Sequence, residues 1–322
     1  MKRTFLFLIT ISFVTLLLSF SEKSHQQQPK ATIRTLIIDP GHGGFDGGAK
    51  GAFSNEADVS LEVSLKLGKA IEKEFPDIKI IYTRTSDIMA GNKRTKEEGL
   101  KYRADLANSS GGDLFIAVHC NAAPHIRHKV RTGYKTQTVW TGKGKKRKKV
   151  TRKVPQYRHW TTPNPAVGTE TYIWAVSKNE AKVNSINKTE YYGEIDSTDD
   201  GTMLELPDPS DPAEKARMLI YAQQYFRKSY NLAELVEKEF LSTGRVSRGV
   251  KQRNDKGIWV LQATGMPSIL VEIGFISHAE EERYINSEKG QEEIVESLLN
   301  AFKAYKQKLE SKNVNTTARA SP

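Results

Sequence analysis

The chain has 322 residues, enough for one large α/β domain or two small ones. Its net charge of +11 points to an acidic partner such as nucleic acid, anionic lipid or an anionic polymer. Cys120 is the only cysteine, so no disulfide can form within the chain and neither an oxidising nor a reducing compartment is required.

At the N-terminus, Lys2 and Arg3 precede an uncharged run from Phe5 to Phe20, with Ser19 and Ser21 at the spacing a signal peptidase reads. Residues 1–21 are expected to be an export signal and 22–31 a polar leader. A retained membrane anchor and a buried core helix are the alternatives, and only the anchor would tie the protein to a membrane. No cysteine follows the apolar run, which argues against a lipid-anchored end. The expected location is the periplasm, with the cell surface or the medium as the alternative.

Leu36 to Ile38 reads as a short buried strand that breaks into a glycine-rich loop from Gly41 to Gly51. His42 stands in that loop just past the carboxyl end of the strand, with Asp39 and Asp46 on either side. It can ligate a metal, act as a base or satisfy a turn. Asn55 with Asp58 marks a helix start, which puts Glu56 in the first turn, and Val59, Val63, Leu67 and Ile71 form its apolar stripe. Ile78 to Thr83 is a second strand, Lys96 to Asn108 a helix, and Leu114 to His119 an apolar strand ending in a histidine. This alternation predicts a single α/β domain over 32–310, with a mainly parallel twisted sheet flanked by helices.

Residues 125–165 break the pattern. No acid occurs between Asp113 and Glu170, while Arg127, Lys129, Arg131, Lys135 and Arg147 crowd together, so a basic surface loop or hairpin is expected. Gly168 to Ala175 restores a strand. The sign then flips across Glu190 to Glu214, and a long helix follows from Ala213 to Phe240, with Ala216, Ile220, Phe226, Tyr230, Ala233 and Val236 in phase; 177–240 is thus an acidic and helical insert. Gly257 to Leu261 and Ser268 to Ile273 read as strands, and Ile294, Leu298, Ala301, Tyr305 and Leu309 as a closing helix. A disordered polar tail is expected over 311–322.

Glu272 does not fit a core, because Ile269, Leu270, Val271 and Ile273 surround it and a buried carboxylate is costly unless paired or bound. His42, His119 and Glu272 all fall near the carboxyl ends of strands, where sites in parallel sheets collect. A catalytic zinc takes three protein ligands and a water whose pKa falls to roughly 7. His42 and His119 supply two, Glu56 is the best-placed third, and Glu272 is left free as general base.

Three ordered motifs now resemble a known family. Asp39-Pro-Gly-His-Gly-Gly44 with Glu56, Ala117-Val-His-Cys-Asn-Ala122, and Pro267-Ser-Ile-Leu-Val-Glu-Ile-Gly-Phe-Ile-Ser277 are similar to those of the zinc-dependent N-acetylmuramoyl-L-alanine amidases of the AmiA/AmiB/AmiC and LytC type. The resemblance implies zinc held by His42, Glu56 and His119, with Glu272 as catalytic acid/base. The substrate it implies is peptidoglycan, cut at the amide between N-acetylmuramic acid and L-alanine in wall remodelling or daughter-cell separation. In several amidases of this type a helical insert covers the zinc until a protein activator displaces it; the resemblance makes 177–227, with Glu190, Glu194 and Glu205 as candidate contacts, either such a segment or a surface excursion that only decorates the fold. Ala57 follows Glu56 where the family commonly has lysine, and Cys120 stands where a small residue is usual; Cys120 is expected to be a buried thiol.

The remaining candidates are weaker. Arg84 and Arg103 are candidates for orienting substrate carboxylates, surface ion pairs being the commoner fate. His125, His128 and His159 are expected to be solvated rather than a second metal site. Gly41, Gly43 and Gly44 lack the spacing of a phosphate loop. The basic insert with Tyr134, Trp140, Tyr157 and Trp160 has nucleic-acid-like character, but export argues for an anionic wall polymer or the acidic loop as its partner, and no nucleic acid is expected. Two rival functions are an exported zinc peptidase cutting within the stem peptide and an inactive wall-binding protein on the same scaffold.

Overall fold

The structure, a computed structural model, describes residues 33–175, 212–254 and 257–319. Ile33–Leu309 form one compact α/β unit. Its sheet comprises β1 (Thr35–Pro40), β2 (Lys79–Tyr82), β3 (Leu114–Asn121), β6 (Thr169–Ile173), β7 (Ser247–Gln252) and β8 (Ser268–Phe275), in the order β2-β1-β3-β8-β6-β7. Neighbours are parallel except β6 against β8, so the sheet is mainly parallel, as the sequence pattern predicts. The remaining strands, β4 (Ile126–Thr141) and β5 (Lys148–Thr162), pair only with each other as a long antiparallel ribbon.

Both faces of the sheet are covered, because each central strand is apolar at consecutive positions. Leu36, Ile38, Ile116, Val118 and Val271 pack on one face against Val59, Val63 and Leu67 of α1 (Glu56–Glu74), Val236 of α3 (Pro212–Ser242) and Leu298 of α6 (Glu288–Arg319). Ile37, Phe115, Ala117 and Leu270 face the other way, toward Ala107 of α2 (Lys96–Ser109) and Leu261 of α4 (Trp259–Ala263). Helix starts are specified locally. Asn55 caps α1 by accepting from the Asp58 amide, and Thr95 with Glu98 forms a capping box on α2.

Three expectations are corrected. Gly257 to Leu261 is not a strand: Val260 and Leu261 are buried side by side while Trp259 is 45% exposed, and the run coils into α4. A short apolar run carries no periodicity that separates helix from strand. The sheet position is filled by β7, whose Arg248 and Lys251 disguise it, since it lies at the sheet edge. In α3 the buried seam runs through Ala222, Ser229, Leu232, Ala233 and Val236, leaving Ile220 and Tyr230 exposed. The polar tail is helical as far as Arg319, continuing α6. The acidic loop and most of the 177–227 segment, including Glu190, Glu194 and Glu205, lie outside the described residues.

One buried acid fixes the entrance to α1. Glu282 of α5 (Ala279–Ile285) is 1% exposed and accepts from the amides of Ala52, Phe53 and Ser54 and from the Ser54 hydroxyl. Burial alone would raise its pKa, but these donors outweigh burial and hold it below the usual 4.5. Because the folded-state pKa is depressed, its stabilisation is present above the unfolded value and drains as pH falls through the folded one. Glu282→Ala is expected to cost about 3 kcal/mol at neutral pH by stranding these donors. Urea titrations of parent and variant should show that difference shrinking below about pH 4.5.

Candidate metal centre

Strand register brings the first two groups together. β3 and β8 are parallel with His119 opposite Glu272, and both side chains point to the sheet face of Ala117 and Leu270. Cys120, the next residue, points into the other layer, is 3% exposed and is a free thiol that burial pushes up in pKa. His42 comes from the β1–α1 loop in a left-handed conformation (φ 59°), which costs a non-glycine residue about 1–2 kcal/mol and must be held from outside.

Two buried arginines hold it. Arg103 pairs with Asp39 and donates to the carbonyl oxygens of Pro40 (2.7 Å) and His42 (2.5 Å). Arg84 donates to the carbonyls of Pro40 and Gly41 and to that of Ala57 in α1. At 3% exposure each, neither is a surface ion pair nor free to orient a substrate carboxylate; both brace the loop. Burial and then the neighbouring Arg103 charge lower the Arg84 pKa to about 10, still leaving it cationic at neutral pH. Gly41 and Gly48 are equally constrained, because a Cβ at Gly41 would lie 2.5 Å from the His119 ring and one at Gly48 2.6 Å from the Glu56 carboxylate.

At the centre is Glu56, 4% exposed at the first turn of α1. Its Oε2 lies 3.1 Å from His42 Nε2 and its Oε1 2.8 Å from His119 Nδ1, while the Ala49 and Cys120 amides donate to the same oxygens. Burial alone would raise its pKa, but the bonds to His119 and His42 dominate and hold it far below the carboxylate range. For His42, burial opposes protonation, and Glu56 and Asp46 together raise the pKa nonetheless. Its Nδ1 lies 2.9 Å from Asp46, which Lys96 anchors at 2.6 Å.

The donor set suits a zinc-type ion. One candidate ligand atom from each of His42, Glu56 and His119 lies within 4.8 Å of the other two, the one such group among the described residues. Two imidazole nitrogens and a carboxylate oxygen are an established catalytic zinc set, and a carboxylate behind a ligating imidazole, as Asp46 is here, fixes its tautomer. The cleft over these residues has a volume of about 480 Å³ and is also lined by Arg253, Trp259 and Glu272.

Glu272 is 9% exposed and its Oε2 has no hydrogen-bond partner among the described residues. Burial first, then the Glu56 charge, push its pKa up to about 8. Its cross-strand neighbour Glu170 has the opposite environment, accepting from Arg248 (2.5 Å), Lys251 (2.6 Å), Tyr172 (2.7 Å) and Asn121 (3.0 Å), and those donors overcome burial to lower its pKa. The sequence reading missed Glu170, although the logic that isolated Glu272, an acid inside a strand, applies to it as well. His128 stacks on Trp160 in the ribbon and bonds Thr162, apart from the His42–Glu56–His119 group.

The chain is similar in sequence and in fold to known amidases. A family model described as N-acetylmuramoyl-L-alanine amidase matches residues 36–304. The N-acetylmuramoyl-L-alanine amidase AmiC of Escherichia coli O6:H1 is 27% identical over 273 residues, covering 84% of this chain and 52% of its own length. The chain thus spans about half the length of that relative. The germination-specific N-acetylmuramoyl-L-alanine amidase of Bacillus subtilis is 38% identical over 97 residues, 28% of this chain and 40% of its own. The structure of the CwlD amidase from Clostridioides difficile in complex with the GerS lipoprotein superposes with a TM-score of 0.52 at 21% identity, over 84% of this chain and 98% of that one, a likeness of fold.

Two outcomes test the geometry. Arg103→Ala, which strands Asp39 and frees the His42 carbonyl, should cost about 3–5 kcal/mol in denaturant titration. In chelator-treated protein, the neutral form of Glu272 is the one the fold prefers. The penalty of ionising Glu272 in the fold is absent below the ordinary pKa of 4.5, grows between 4.5 and about 8, and is complete above that. Melting temperatures should therefore show Glu272→Gln gaining stability over the parent progressively across that window; a gain flat with pH would contradict the burial account.

Proposed function

The chain belongs to the N-acetylmuramoyl-L-alanine amidase family, and from that premise we propose that it hydrolyses the amide between N-acetylmuramic acid and L-alanine in peptidoglycan, with zinc as cofactor. The observation that carries the reading is the convergence of His42, Glu56 and His119 beside the unpartnered carboxyl of Glu272 in one cleft. In this proposal His42, Glu56 and His119 hold the ion and Asp46 keeps His42 in the tautomer whose Nε2 faces it. A bound zinc ion supplies Lewis-acid chemistry, polarising the scissile carbonyl and making water nucleophilic at neutral pH.

Glu272 takes the proton from the attacking water and passes it to the departing amide nitrogen. Its surroundings suit that exchange. Burial is the largest cause of its raised pKa and does not depend on the Glu56 charge that a cation would engage, which suits a group that must accept and release a proton. Glu170 remains ionised through its cationic neighbours and takes no part in the transfer.

Lys2, Arg3 and the apolar run before Ser21 support export to a compartment where peptidoglycan is present. A protein partner belongs to the proposal as well, in view of the complex of the CwlD amidase with GerS.

On purified sacculi, the metal-loaded chain should release free stem peptides and leave intact glycan strands; cleavage within the peptide would favour a stem-peptide peptidase. Glu272→Gln should slow release by about 10²–10⁴-fold with zinc content unchanged. Glu56→Ala should lose zinc and activity together. Activity retained in Glu272→Gln would remove that residue from the mechanism.

A further inference from the structure

The ribbon β4–β5 has no part in the chemistry above. It pairs along its whole length, from Ile126 opposite Thr162 to Thr141 opposite Lys148, and its large side chains stay in solvent, Trp140 at 55% exposure. A two-stranded hairpin is marginal in water, and clustered exposed aromatics mark an interaction surface. No acid occurs between Asp113 and Glu170, so the ribbon carries no counter-charge of its own.

Its register sorts these side chains. The irregularity between Arg131 and Gly133 returns Tyr134 to the face of Lys129 and Arg131, where Trp140 also lies, opposite Lys149. Lys129 sits 5.5 Å from the Tyr157 ring centre, Arg131 5.1 Å from that of Tyr134 and Lys149 5.5 Å from that of Trp140. Cations and rings thus recur along one face from Lys129 to Trp140, roughly 36 Å at about 3.3 Å per residue. That pattern fits a linear polymer offering repeated anionic groups and ring faces.

The ribbon is also rooted at the cleft. Asn121 and Ala122 line it, β4 begins at Ile126, and the base is tied by Ala123 donating to Ser277 and Asn164 donating to the Pro124 carbonyl. The ribbon thus begins four residues beyond Ala122, which lines the cleft. Nucleic acid shares the anionic and stacking chemistry but has no reason to meet a hydrolytic cleft for amides.

We infer that the face bearing Lys129, Arg131, Lys149, Lys153, Tyr134 and Trp140 is a binding site for the glycan–peptide polymer of the wall, with stem-peptide carboxylates on the cations and sugar faces on the rings. The inference rests on the amidase reading for the identity of the polymer. The test uses the full chain in a Glu272→Gln background on ice, co-sedimented with purified sacculi freed of phosphate-containing polymers, with duplex DNA as the comparison ligand. Binding to sacculi should weaken with salt. It should fall roughly tenfold or more when Lys129, Arg131, Lys149 and Lys153 all become Gln, and fall again with Trp140→Ala. Lys129→Arg, Lys149→Arg and Lys153→Arg together should retain it, which controls for ribbon folding. Undiminished sedimentation of the quadruple Gln variant, or a parent that binds DNA and not these sacculi, would overturn the assignment. Sedimentation reads binding alone, so its failure is distinct from failure of the amidase reading, which is scored by peptide release from the metal-loaded chain.

Discussion

One carboxylate between two imidazoles is the constraint on which the rest of the molecule turns. Glu56 can meet His42 and His119 only if the β1–α1 loop folds back on itself, and that return demands a left-handed histidine and glycines at the points of closest approach. The strain is local, of the order of 1–3 kcal/mol, and the compensation is built around it. Arg84 and Arg103 grip the loop carbonyls from beneath, Asn55 starts the helix at the required residue, and Glu282 binds the three preceding amides from across the fold. The carboxylate itself stays ionised although buried, because four donors or cations converge on it.

Glu272 shows the opposite use of burial. The strand holding it is apolar on both sides, so the carboxyl is largely buried at the edge of the cleft, its Oε2 has no partner among the described residues, and its proton becomes easy to hold at neutral pH. Beside it, Glu170 has cations at hydrogen-bond distance. Two carboxylates opposite one another on adjacent strands are thus driven apart in acidity by their surroundings, which is how a fold assigns different duties to chemically identical groups.

Much of this was legible in the chain. The alternation of apolar strands with striped helices gave the parallel sheet, and the position of His42, His119 and Glu272 at strand ends gathered the site. What escaped was carried by long-range pairing. β7 reads as polar because it is an edge strand, and α4 reads as a strand because a short apolar run has no period to betray it. Arg84 and Arg103 looked like solvent-facing charges, since nothing local to either residue signals a partner more than forty positions away. Glu170 went unnoticed for the same reason: its cations sit on β7, a strand the pattern does not announce.

The central claim is that His42, Glu56 and His119 form a zinc site closed by oxygen rather than sulfur. X-ray absorption at the zinc edge on the metal-loaded chain tests it most directly. Two imidazole nitrogens and carboxylate or water oxygens at about 2.0–2.2 Å, at one zinc per chain, are the predicted result. A sulfur scatterer at about 2.3 Å would place Cys120 in the shell, and absence of stoichiometric zinc would remove the site; either contradicts the account.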